Sequence, residues 1–463
     1  MKRIGGILVV TIVVGMALGG GRLAAASKSA KEITAFTVAG VDGVIEDKKI
    51  TVELPGLFTR VDGLVATFTT TGKSLKVGPK VQVSGKTPND FTKPVTYTVA
   101  AADGTTDSYT VRVLTPRPVL ISAYDDTLVV GSDGSLWGTG RNGDGQLGLG
   151  NTNSVSSPKR IMESGVAAVA AGYYHTLILK TDGSLWATGY AKLGQLGNGN
   201  PASLSAPVQV TTGVASVSAG VNFTLVVKTD GSLWVSGYNS SGQLGNGTAD
   251  NLLTLTQVMD SGVASVSGGG DHSLVVKTDG SLWAMGSNSH GQLGNGATSD
   301  SRVPVKVVES GVVSASAGRS HSVFVKTDGS LWTFGYNKYG QLGTGDTNNQ
   351  AKPVQVISSG VSAAVAGGDH TLVLKTDGSL WVTGYNKNGQ LGNGNTTDVL
   401  APTQLLAGGV AAVAGGLVHT VILKTDHSLW TVGYNANGEL GVGGGGGPTL
   451  VMIRRPSMAG DDH

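Results

Sequence analysis

Five histidines recur in register through this sequence: His175, His272, His321, His370 and His419, each followed by Ser or Thr and then an apolar run. Histidine changes charge near neutral pH and is the commonest metal ligand, so the set invites a zinc or acid–base reading. A zinc site needs several imidazoles converging at about 2.0 Å. The spacing argues against convergence, because each His belongs to its own copy of a long repeat, and copies arranged in a ring hold equivalent residues apart. Asp126 and Phe223 stand at the same place in the two remaining copies. Phenylalanine neither ligates nor carries a proton, so the position reads as packing, with each imidazole buried near a hub and hydrogen-bonded to backbone.

Other chemistry-bearing groups reduce in the same way. Asp125, Asp271 and Asp369 precede this position in three copies and are the only candidates for an acid–base pair at a pore mouth, yet no spacing singles out two of them. The GQLGNG loops look like phosphate cradles, but such a cradle needs a helix N-terminus behind its glycines, and no helical period follows. Asp144, in NGDGQLGLG, hints at a calcium loop and occurs in one copy only. A G-x-S-x-G elbow and a zinc-peptidase helix are both missing from the sequence. The sequence therefore predicts no catalytic residue, no metal and no cofactor, and the chain reads as a non-enzyme.

The repeat that positions these residues is marked by tryptophan. Trp137, Trp186, Trp234, Trp283, Trp332, Trp381 and Trp430 are all the tryptophans of the chain, spaced 48 or 49 residues apart within (D)GSLW or a near-copy of it. A constant period of this length means one supersecondary unit copied. HTLVLK and SLWVTGY alternate with period two around Asp-Gly, which signals a hairpin with a tight primed turn. Each copy thus predicts four strands: A (as in VSAAVAG), B (HTLVLK), C (SLWVTGY) and D, after a proline. A four-stranded sheet of this size cannot cover both its faces. Seven copies stacked radially do so, which predicts an all-β, seven-bladed propeller over 118–454, with one Trp per blade packing between blades.

The order AGxxHTL, then DGSLWxxGxNxxGQLGxG, then a proline-led strand resembles the regulator of chromosome condensation repeat family, over about residues 118 to 454. The resemblance implies the propeller and leaves the function wide. The family holds a nuclear exchange factor for a small GTPase, a plant ultraviolet receptor, and secreted bacterial propellers that inhibit β-lactamases by binding them. The receptor's chemistry relies on extra tryptophans at the AGxxHT position, and here all seven are in SLW. The family often completes one blade from both chain ends; residues 448 to 454 are expected to be an outer strand of a blade that the sequence does not identify.

Composition sets the surroundings. The 463 residues include 73 glycines, 14% charged residues and no cysteine, as expected of many short strands and tight turns stabilised without disulfides. Residues 1–26 read as a signal peptide, with Lys2 and Arg3, an apolar run from Ile4 to Gly21, and Ala24-Ala25-Ala26 before the cut; an uncleaved anchor is the alternative. The leader holds three of the 33 basic residues and none of the 31 acidic ones, leaving 30 against 31. A nearly neutral protein has no electrostatic draw to nucleic acid. Residues 31–115 carry no copy of the repeat. ITAFTV, KKITVEL, LVATFTT, VQVSG and a hairpin centred on Asp103-Gly104 predict a small β-sandwich that resembles immunoglobulin-like or cadherin-like domains, its Asp residues serving turns. Thr115 to Pro118 form a stiff linker, and 455–463 read as a disordered tail.

Strand direction alternates within a blade, so the A-to-B and C-to-D connections share one face and the other two connections share the opposite one. The opposite face repeats Lys-Thr-Asp-Gly-Ser in copies two to six. The first face is individual to each copy, and it carries all nine propeller tyrosines. Tyr190, Tyr238, Tyr336, Tyr385 and Tyr434 share one register position and read as strand-end packing. Tyr124, Tyr173, Tyr174 and Tyr339, with Arg319 and Lys338, are the candidate partner-binding residues, since Tyr and Arg supply rigid amphipathic contact area. The expected protein is a secreted or cell-envelope binding platform for an extracellular protein or a polysaccharide. It is expected to meet no nucleic acid and no GTPase, and a membrane only if the leader is retained. A structural envelope component, or a polysaccharide-active enzyme, is the alternative.

Overall fold

The computed structural model describes residues 28–54, 61–116 and 118–453; the expected leader and the tail at 455–463 lie outside the described residues. Every regular element among them is a β-strand. The chain divides into two compact units, one ending at Leu114 and the other beginning at Thr115.

The first unit is a pair of sheets. A four-stranded sheet carries Ile33–Val38 and Leu64–Thr70 at its centre, and a six-stranded sheet carries Lys49–Glu53, Thr106–Leu114 and Val95–Ala100. The alternating residues of these strands supply the core, in which Phe36, Ile50, Val52, Tyr97 and Val111 are buried. Thr106–Leu114 pairs antiparallel with Val95–Ala100 through the expected hairpin and parallel with Lys49–Glu53. The expected VQVSG strand is only Lys80–Val81. Beyond it the chain turns: the Val83 N–H is capped by the Thr87 hydroxyl at 2.8 Å, and Gly85 takes φ +72°.

The second unit is seven four-stranded antiparallel sheets, each contiguous in sequence and ordered A-B-C-D. Blade one runs Pro118–Ala123, Asp126–Gly131, Leu136–Gly140 and Val155–Met162. Blade seven runs Val410–Gly415, His419–Lys424, Leu429–Gly433 and Gly447–Met452. The last strand therefore completes the blade next to it in sequence, and the ring closes by packing and by loop backbone and side-chain hydrogen bonds instead of a strand shared between the two ends.

Strand B is buried throughout its length because its two faces serve two neighbours. In blade two, Leu177 and Leu179 join a core with Val214 and Val226 of blade three. Ile178, between them, points the other way, into a core with Leu128 and Val130 of blade one. Each such Val or Leu contributes roughly 1.5–3 kcal/mol by leaving water. Trp186 lies against that same blade-one cluster, and Trp137 of blade one lies against Val421, Leu423 and Leu429 of blade seven, so the tryptophans pack between blades and one of them seals the closure. Each indole is held from both sides: Trp186 Nε1 donates to Ser184 Oγ at 3.0 Å, and Lys180 Nζ sits 4.7 Å above the ring.

The hairpin turn differs from the expected primed type. In blade two the Gly183 N–H donates to the Lys180 carbonyl and the Lys180 N–H to Ser184, while Gly183 alone has positive φ, +78°. This is a type I turn followed by a glycine bulge, and Asp182 stabilises it by accepting from both the N–H and the hydroxyl of Ser184. An Asp that serves as acceptor need not itself enter the left-handed region. In blade seven His427 replaces the bulge glycine and takes φ +66°.

Candidate functional site: the individual face of the propeller

The histidines come to rest inside the blade junctions. All five are fully buried, and each donates across to the hydroxyl of the second residue of the next blade's strand B: His175 Nε2 to Thr224 at 3.0 Å, His272 to Ser322 at 2.9 Å, His321 to Thr371 at 3.0 Å, His370 to Thr420 at 3.1 Å and His419 to Thr127 at 3.0 Å. The direction follows from the hydroxyls, which spend their own hydrogens on a backbone carbonyl, as Thr224 does on Gln195 at 2.6 Å. Partners are thus side chains of the neighbouring blade and not backbone as the sequence suggested. A B-strand histidine reaches sideways, where the nearest acceptor belongs to the next sheet. Burial pushes the imidazoles down to about 3 at His175, His321 and His419 and about 4 at His272 and His370. They are neutral ties and unsuited to acid–base work near neutral pH.

The glycine-rich loops are the second tie. Gly194 of the GQLG turn has φ +89°, and a Cβ there would run into the Leu252 carbonyl of the next blade, so glycine is required for blades to approach. The following glutamine accepts a loop N–H with its carbonyl, and at three junctions its amide donates to a side chain of the next blade. Gln243 Nε2 reaches Asp271 Oδ1 at 3.1 Å, Gln341 reaches Asp369 at 3.2 Å, and Gln195 reaches the Asn222 oxygen at 3.3 Å. At the closure the Gln is Glu439, whose carboxylate accepts from Asn437 N–H at 2.9 Å and Asn437 Nδ2 at 2.7 Å. Burial and then Glu439 hold Asp125 above the usual carboxylate range, while burial raises Asp271 and Asp369 against the pull of Arg319.

The candidate binding residues fall into two aromatic groups on this face. Tyr124, Tyr173 and Tyr174 come together, with Tyr124–Tyr173 ring centroids 5.7 Å apart and Tyr173–Tyr174 4.2 Å apart, both edge-on. Arg141 completes the group. Its guanidinium lies 5.0 Å from the Tyr173 ring and 4.8 Å from the Tyr174 ring, and it pairs with Asp144 at 3.0 Å and Asp125 at 3.7 Å. Asp144 therefore anchors an arginine, and no group of three or more metal-ligating side chains forms among the described residues. Tyr339 belongs to the other group, with Tyr336 at 6.1 Å, Tyr385 at 4.8 Å and His290 tilted against Tyr336 at 4.6 Å. Lys338 is exposed beside it. Arg319 is exposed at the mouth of the central channel, a space of about 270 Å³ lined by Tyr124, Ser122, Ser267 and Ser316 among others.

Two of these findings were not drawn from the sequence. Arg141 stands where Tyr190, Tyr238, Tyr336, Tyr385 and Tyr434 stand in other copies, so its signal was a departure from register at one blade. Those register tyrosines are also more than strand-end packing: Tyr190, Tyr336 and Tyr385 are half-buried members of the two aromatic groups.

The profile described as RCC1-like domain matches residues 106–363, more than half of the sequence. The chain belongs to the RCC1-like domain family. Regulator of chromosome condensation (RCC1) repeats match again at 361–390 and 377–423, and the first unit matches the profile described as SGBP, N-terminal, at 33–113. Among solved structures, human WBSCR16 shares 23% identity with a TM-score of 0.61, covering 70% of this chain and 94% of that one. Prp20p from Saccharomyces cerevisiae, studied for its binding to Gsp1p and histones, shares 21% with a TM-score of 0.62, covering 75% and 89%. Yeast RCC1 bound to Kap60 shares 20% with a TM-score of 0.63, covering 75% and 86%. At these identities the likeness is one of fold. No curated protein sequence matches the chain. Within this RCC1-like propeller the recurring histidines and GQLG glycines serve blade-to-blade junctions, and the aromatic departures from the repeat lie on one face.

Proposed function

We propose that this RCC1-like chain is an exported, non-catalytic binding protein whose individual propeller face holds an extracellular protein, with a polysaccharide as the other partner class. The observation that supports this is the pair of aromatic groups on a rigid ring. Tyr173 and Tyr174 are ordered by Arg141, Tyr124 packs edge-on against Tyr173, and Tyr336, Tyr339 and Tyr385 pack against one another. Preformed aromatic surface with a basic group nearby binds with little loss of side-chain freedom. The opposite face offers repeated Lys-Thr-Asp-Gly-Ser turns whose side chains are consumed by Trp and by the turn itself.

An acid–base enzyme finds little support in the same geometry. Asp125, Asp271 and Asp369 belong to blades one, four and six, and the last two accept from glutamines of the blades before them. The experiment is capture of partners from the extracellular fraction by the mature protein and by the variant Tyr173→Ala, Tyr174→Ala, Arg319→Ala, with circular dichroism to show both are folded. The intact face should retain a partner that the variant loses. Equal recovery by both removes this face as the binding surface.

A further inference from the structure

A separate receptacle on blade seven emerges from comparing the seven C-to-D loops with one another. In six of them the backbone N–H two residues after strand C is capped by a side chain twelve residues later. The acceptors are Ser154, Ser203, Asn251, Asp300, Asn349 and Asp398, at 2.8–3.3 Å. That side chain plugs the loop. The strand register places Gly446 of blade seven at the position of Asp398 in blade six, because Gly433 faces Gly447 as Gly384 faces Val399. Gly446 has no side chain to offer, and a Cβ there would collide with the Gly433 carbonyl. The Asn435 N–H is left without an acceptor among the described residues, and Asn435 Nδ2 keeps a single loop contact, to Gly444, where Asn386 Nδ2 makes several.

The loop opens here into a cavity of about 430 Å³ between the blade-six and blade-seven loops, lined by Lys387, Asn388, Thr396, Tyr434 and Asn435 among others. Tyr434 is 38% exposed, more open than its four register mates, which are half-buried. Lys387 lies at the rim, 3.7 Å from Asp398 and largely in solvent.

We propose that this cavity receives an acidic side chain of a partner protein, which supplies the plug that blade seven lacks. The six filled loops show the chemistry the site is built for: an oxygen on a short side chain accepting from a backbone N–H, carboxylate in Asp300 and Asp398. Lys387 favours the carboxylate form, and Tyr434 offers an aromatic wall for the stem. None of the tyrosines of the two aromatic groups lines the cavity, so the proposal does not depend on them.

The test uses the mature protein and ligand-observed saturation-transfer NMR with acetyl-Gly-Ser-Asp-Ser-Gly-amide, the same peptide with Lys in place of Asp, and trigalacturonate. The Asp peptide should receive saturation and the Lys peptide should not. Lys387→Ala and Tyr434→Ala should each weaken the Asp peptide by roughly two- to fivefold, the scale of one exposed charge contact. Lys192→Ala, the same loop position in a blade whose plug is Ser203, should leave it unchanged. Equal saturation of the Lys peptide, or full retention in both cavity variants, overturns the proposal; saturation of trigalacturonate with none of the Asp peptide overturns it in favour of an acidic glycan.

Discussion

Blade one breaks the histidine tie, and restoring it is a quantitative test of the junction. Asp126 occupies the histidine position, is 1% exposed, and has no hydrogen-bond partner on either carboxylate oxygen; the Thr176 hydroxyl of blade two, which would receive the tie, has none either. Burial raises Asp126 well above the usual carboxylate range, with Asp125 adding to it, so the folded protein favours the protonated form. Asp126→His should restore the bond that five other junctions make at 2.9–3.1 Å. One orphaned buried polar group costs about 1–3 kcal/mol, so the gain at pH 7.5 should be about 1–3 kcal/mol. In a domain of this size each kcal/mol moves the melting temperature by roughly 2 °C. The pH dependence carries the sharper signature. An acid whose folded value is raised loses stability as pH climbs above its unfolded value of 3.8, whereas a histidine whose folded value is lowered loses stability as pH drops below 6.5. Both signs shrink the advantage of the histidine variant from pH 7.5 to pH 4.5. Urea midpoints at both pH values measure it, and a variant no more stable than the parent at pH 7.5, or one whose gain is the same at pH 4.5, refutes the reasoning.

Other consequences are simpler to read. His427→Gly should stabilise by about 0.5–1 kcal/mol, because glycine bears the φ of +66° without strain, and a thermal melt resolves it. Gly194→Ala should cost more than about 2 kcal/mol, since the added carbon meets the Leu252 carbonyl of the next blade at φ +89°; a loss under about 0.5 kcal/mol in urea would show that the GQLG glycines are not contact residues. His321→Ala should cost about 2–4 kcal/mol from a lost tie and a buried void. The whole propeller should weaken in mild acid, as five neutral histidines with folded values of about 3 or 4 resist the protonation that the unfolded chain accepts near 6.5; denaturant midpoints falling between pH 7 and pH 5 check this.

How far the sequence carries is decided by whether a feature is local to one copy or lies between two. Strand positions, the Asp-Gly hairpins and the Trp seam follow from alternation and turn chemistry within a copy, and all are present. The partner of a histidine is not legible within its own copy, because it lies in the next blade: 49 or 50 residues on for four of them and, across the ring closure, at Thr127 for His419. The glycine bulge was mistaken for a primed turn because Asp-Gly serves both, and the choice rests on a backbone angle. VQVSG alternates well enough for a strand, yet its length is set by Gly85 and Thr87 just beyond it. Arg141 and Glu439 were both visible as departures from register, and their meaning appears only when blades one, two and seven are placed side by side.

The junction geometry also divides the individual face into variation that structure explains and variation that it does not. In three blades the second member of the A-to-B pair answers to the glutamine of the previous blade, which accounts for Asn222, Asp271 and Asp369 as acceptors. The first member is fixed by backbone alone. Arg319 N–H donates to the Gly368 carbonyl at 3.0 Å, Gly368 to Gly416 at 3.0 Å, and Leu417 to Tyr124 at 2.7 Å, so the main chain itself forms a rim. Where neighbouring rims press closest, glycine is imposed: a Cβ on Gly270 would meet the Arg319 carbonyl and one on Gly368 the Leu417 carbonyl. The first members that carry a side chain are Tyr124, Tyr173, Val221, Arg319 and Leu417, of which Tyr124 also packs against the core between blades one and two. A partner read by this face should therefore be far more sensitive to Arg319→Ala or Tyr124→Ala than to Asp271→Asn, which keeps an acceptor for Gln243. Should Asp271→Asn abolish binding while Arg319→Ala leaves it intact, the outer members of the pairs would be the recognition residues and the division drawn here would be reversed.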